Sequence, residues 1–117
     1  MAAWTAAQLR NAALEHLGIV GGGQSADAHD ADIVDKAWVS VHAQLDKTGM
    51  VSFAVGAVPD WAKEPLTKYL AGQVAVKFGF TGPRLQAIGQ DAGAGYHDLR
   101  VQMAGEKQPR QARIRSY

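Results

Sequence analysis

A chain of 117 residues, 47% hydrophobic and 20% charged, has the composition of one folded domain and leaves little room for a second. It has no cysteine, which excludes disulfides, thiolate metal sites and a cysteine nucleophile and fits a cytosolic folding compartment. Charge is uneven: residues 1–60 hold three basic and seven acidic side chains, a net −4, and residues 61–117 nine basic and four acidic, a net +5.

The chain opens MAAWTAAQLR, without the charged start and apolar core of a secretory signal. No apolar run reaches the ~18 residues of a membrane span, so a mature, soluble protein is expected. Thr5 is a good N-cap, and Gln8 can return a bond to the cap's amide. Trp4 and Leu9 flank that cap as a hydrophobic staple. Leu9, Ala13 and Leu17 recur at i, i+4, i+8, and Gly18 supplies the permissive residue after the last turn. This predicts a helix over 6–17.

GIVGGGQSAD is a flexible connection, with Ser25 as the cap of a long helix over Ala26–Thr48. Asp27, Asp30 and Asp32 answer its positive end. Val34, Trp38, Val41 and Leu45 form its apolar stripe, and Gly49 stops it. Met50 to Val58 is apolar and β-branched without caps. It fits equally a strand covering one end of the bundle and a protruding loop that docks on a neighbour.

Pro59-Asp60 opens the third helix, with Asp60 as cap, Leu66, Leu70, Val74 and Phe78 in an i+4 row, and Gly79 as its stop. Pro65 either kinks this helix or marks where its regular part begins. Gly82-Pro83 starts the fourth helix. Leu85, Ile88, Ala92, Tyr96, Leu99 and Met103 recur there at near-heptad spacing. Gly89, Gly93 and Gly95 cost helix propensity of ~1 kcal/mol each, which implies close approach of another helix, from this chain or a neighbour. From Gly105 the apolar pattern fails. The reading is therefore an all-α bundle of four helices, with an extended loop between the second and third. A helical domain over 1–104 is followed by an extended basic C-terminal arm over 105–117.

Chemistry is sparse. His29, Asp30 and Asp32 match no standard ligand spacing and suit the first turn of a helix. His42 and Asp46 are i, i+4 neighbours that suit a surface pair, and His97-Asp98 has no nucleophile nearby in sequence. GGG at 21–23 lacks the lysine–hydroxyl ending of a phosphate loop. No catalytic residue, cofactor or metal ligand is assigned, and an enzyme is not expected. In the arm, Arg110, Arg113 and Arg115 alternate with Ala112 and Ile114 before Tyr117. A docking peptide, a phosphate-binding arm and a solvated tail all fit.

The order of these pieces resembles the head–tail connector (adaptor) family of tailed bacteriophages, which includes podoviral tail accessory and packaged-DNA stabilisation proteins. LRNAALEHLGIVG matches the short opening helix with its leucine-glycine-aliphatic turn. GGGQSADAHDADIVDKAWVSVHAQLDKTGM matches the link and long helix. VPDWAKEPLTKYLAGQVAVKFG matches the proline-led third helix, and Leu85 to Met103 the alanine-rich last one. The similarity spans about residues 6–104. Pro65 and the glycines of the last helix depart from the pattern.

The resemblance implies a homo-oligomeric ring, commonly twelve-fold, beneath the portal at the virion neck, assembled in the host cytoplasm. Such a ring extends the DNA channel, retains the packaged genome and docks the tail or stopper protein, without sequence-specific DNA binding. On that reading Arg110, Arg113, Ile114, Arg115 and Tyr117 grip the portal protein. Met50, Val51, Phe53 and Val55 dock on a neighbouring subunit, and Asp35 and Asp46 face the channel. The alternative is a small helical DNA-binding protein, such as a packaging-enzyme small subunit. It would need a recognition helix with several exposed basic residues, whereas the long helix offers only Lys36 and Lys47.

Overall fold

In the computed structural model the described residues are 3–21, 26–49 and 51–115, with side chains as far as Met103. Four α-helices follow in order: α1 (Ala6–His16), α2 (Ala28–Lys47), α3 (Asp60–Val74) and α4 (Gly82–Arg115). A 3-10 turn, Ala75–Phe78, extends α3. No strand is formed among the described residues, so the expected all-α class holds.

α1 forms as its caps dictate. The Thr5 hydroxyl accepts from the Gln8 amide at 3.2 Å, and the Gln8 side chain accepts from the Thr5 amide at 2.9 Å. At the other end Gly18 takes φ +76°. That turn lets Ile19 N–H reach Leu14 O at 3.0 Å and Gly18 N–H reach Glu15 O at 2.9 Å. The Arg84 guanidinium, from the start of α4, donates to Leu17 O at 2.9 Å. Three carbonyls that the last turn would leave open are thereby satisfied. The same closure recurs after the 3-10 turn, where Gly79 at φ +84° allows Phe80 N–H to reach Ala75 O at 3.2 Å.

α2 begins two residues later than the sequence implies. The Asp27 carboxylate accepts from the His29 amide at 3.2 Å and acts as the cap. Ser25, the expected cap, lies outside the described residues. α3 is continuous from Asp60, with Pro59 rather than Asp60 at the cap. Asp60 instead pairs with Lys63 at 2.6 Å. Pro65 sits inside the helix and is buried, so α3 begins before it rather than at it. An interior proline costs roughly 3 kcal/mol through the missing N–H and ring crowding. Burial of its ring in the core offsets part of that.

One apolar core joins all four helices. Leu9, Leu14 and Leu17 of the α1 end meet Val34 and Trp38 of α2, Leu66, Leu70 and Val74 of α3, and Ile88 and Leu99 of α4. Among the described residues no polar or charged residue is buried. Polar contacts brace the outside: Arg10 of α1 forms an ion pair with Asp35 of α2 at 3.2 Å, and the His16 imidazole of α1 lies 3.5 Å from the Asp91 carboxylate of α4. Helical backbone in α4 continues through Arg115, past Met103 where the apolar spacing ends.

The segment after α2 is neither a regular strand nor a free loop. Val51 and Val58 are buried, and Phe53 and Val55 pack half-buried against the core. Trp38 Nε1–H donates to Val55 O at 3.0 Å, and His42 Nε2 meets Phe53 O at 2.6 Å. Because a carbonyl only accepts, that His42 nitrogen carries the proton. Trp38, His42, Phe53 and Trp61 stack edge to face in sequence, with centroids 5.4, 6.2 and 5.8 Å apart. A single antiparallel bridge closes the segment: Trp4 N–H to Val58 O at 2.8 Å and Val58 N–H to Trp4 O at 2.9 Å. It is a strap, laid across its own bundle.

Candidate assembly surface

α3 and α4 make the most extensive helix pairing, and small residues set its closeness. A Cβ added at Gly95 would lie 2.5 Å from Pro65 O and 3.1 Å from Lys68 Cβ. One added at Gly72 would fall on the Ala92 Cβ. Side chains at either position would force the helices apart. Gly95 is therefore explained within the chain.

Gly89 and Gly93 are different. A Cβ at either would meet nothing within 4 Å. They lie one turn apart on α4 and, with Tyr69, Gln73 and Tyr96, line an open trough of 470 Å³ between α3 and α4. The two tyrosine rings stand at one end, centroids 5.4 Å apart. Partial burial, and the neighbouring Tyr96, raise the Tyr69 hydroxyl pKa above its ordinary value. Val76, one turn beyond Gln73, is 69% exposed. A helix surface that carries two unfilled glycines, each costing propensity, presents a smooth floor on which another backbone can lie closely.

The residues singled out by sequence fall elsewhere. Val51, Phe53 and Val55, expected to dock on a neighbour, are engaged by their own core, because the strap's apolar side chains fold inward. Met50 lies outside the described residues. Of the expected channel acids, Asp35 is held by Arg10 of α1, which neutralises its carboxylate locally, while Asp46 is exposed on α2. His42 and Asp46 do not form the expected surface pair, since His42 turns to the strap carbonyl of Phe53. Arg110, Arg113, Ile114 and Arg115 stand on the helical continuation of α4, their side chains outside the described ones, and Tyr117 is outside altogether. On α2, Lys36 is paired with Asp32 at 3.0 Å, which leaves that helix little free basic charge with which to read DNA.

Among the described residues no group of three or more histidine and acidic side chains comes together as a metal site, and no helix is long and apolar enough to cross a membrane. Sequence reasoning flagged Gly89, Gly93 and Gly95 of α4 alike. Only packing separates Gly95, which is filled, from Gly89 and Gly93, which are open. No protein-family model, characterised protein or solved structure matches the chain.

Proposed function

We propose that the chain is the repeating subunit of a phage head–tail connector, a ring seated beneath the portal that extends the DNA channel and receives the tail or stopper protein. The observation that carries this reading is the trough. Two interior glycines of α4, Gly89 and Gly93, face open space, whereas Gly72 inside α3 and Gly95 inside α4 lie hard against the facing helix. A neighbouring copy seated there accounts for a propensity cost that the isolated subunit leaves unexplained. An off-axis contact of this kind is heterologous, and such contacts repeated around an axis close into rings.

The element order supports the same reading. The leucine-glycine-aliphatic turn is a hydrogen-bonded helix stop, followed by a link, a long rod, a strap and a closely paired α3 and α4. These are the pieces on which the resemblance rests. In the ring, apolar contact along the trough provides most of the stability, and the acidic first half of one copy lies near the basic second half of the next. The arm from Arg110 to Tyr117 reaches to the portal protein.

Co-expression with the portal protein of the same phage, followed by affinity purification and electron microscopy, tests the proposal. A ring on the portal is expected, lost in Gly93→Leu while that variant keeps its helical circular dichroism. Deleting 106–117 should leave a folded chain that no longer attaches to the portal. A monomer that never co-purifies with portal particles would overturn the proposal.

A further inference from the structure

We draw no further inference here: the strongest candidate, the open trough between α3 and α4 floored by Gly89 and Gly93, belongs to the surface already described, and nothing in the structure shows which segment of a partner covers it.

Discussion

Substituting alanine at Gly95 and at Gly89 should move stability in opposite directions. Both positions lie inside α4, so exchanging glycine for alanine gains about 1 kcal/mol of helix propensity at each. At Gly89 the new methyl meets nothing within 4 Å, and the gain stands alone. At Gly95 the methyl arrives 2.5 Å from the backbone oxygen of Pro65 and 3.1 Å from Lys68 Cβ. A carbonyl within a helix cannot swing aside as a flexible side chain does, so α3 and α4 must separate. Overpacking of this kind costs about 1–3 kcal/mol, and a clash with backbone belongs at the upper end. The net expectation is a loss of about 1–2 kcal/mol for Gly95→Ala against a gain of up to about 1 kcal/mol for Gly89→Ala. For a domain of this size that places the Gly95→Ala midpoint about 4 °C or more below wild type and the Gly89→Ala midpoint up to about 4 °C above it. Urea and thermal unfolding followed by helical circular dichroism, at low protein concentration, reads both. Equal stabilisation by the two substitutions would refute the close approach of Pro65 to Gly95.

The contact of Gly72 with Ala92 offers an independent cycle: Gly72→Ala should destabilise, and adding Ala92→Gly should restore most of the loss, with the two propensity changes cancelling. Trp38→Phe removes the donor to Val55 O while keeping an aromatic ring, so a loss of about 1–3 kcal/mol is expected, together with faster proteolysis between Val51 and Val58. Tyr69 titrates above its ordinary value in the fold, so the stability linked to it is complete below that value and is lost as pH rises through the folded pKa. Tyr69→Phe should flatten that alkaline fall and remove from the ultraviolet titration a tyrosine that ionises above its ordinary value. Asp60 has the opposite sign. The hydrogen bond from Lys63 holds its pKa below the ordinary value, so Asp60→Asn should shallow the stability loss seen as pH falls below about 4.

The helices were legible because their signals are local. Thr5 and Gln8 sit three residues apart, Gly18 directly follows Leu17, and every member of the Val34, Trp38, Val41, Leu45 stripe is buried as its spacing requires. The start of α2 was not, since Ser25 and Asp27 are equally good caps two residues apart. Pro65 left two starts open for α3, and the helix runs from Asp60 because tertiary burial outweighs a local breaking tendency. The strap could not be read from its own nine residues, because the groups that pin it are far along the chain. Trp4 pairs with Val58, and Trp38 and His42 reach its carbonyls from α2. His42 illustrates the point, since i, i+4 geometry offered Asp46 while a loop carbonyl took the nitrogen. Of the candidate assembly surface, composition disclosed only that α4 is rich in glycine. Which glycines are filled depends on where α3 lies.

The notches at Gly72 and Gly95 also decide how α4 is aligned along α3. Core contacts between aliphatic side chains are nearly indifferent to sliding, and among the described residues no buried polar group fixes the alignment. Steric fit does so instead. A slip of one helical turn would bring Leu99 or Asp91 onto the carbonyl of Pro65, and Ile88 or Tyr96 onto Gly72, where the axes stand too close to admit them. The two helices therefore engage at one offset, like a key whose cuts match a single lock. Any surface built across them, the trough included, inherits that fixed spacing in every copy.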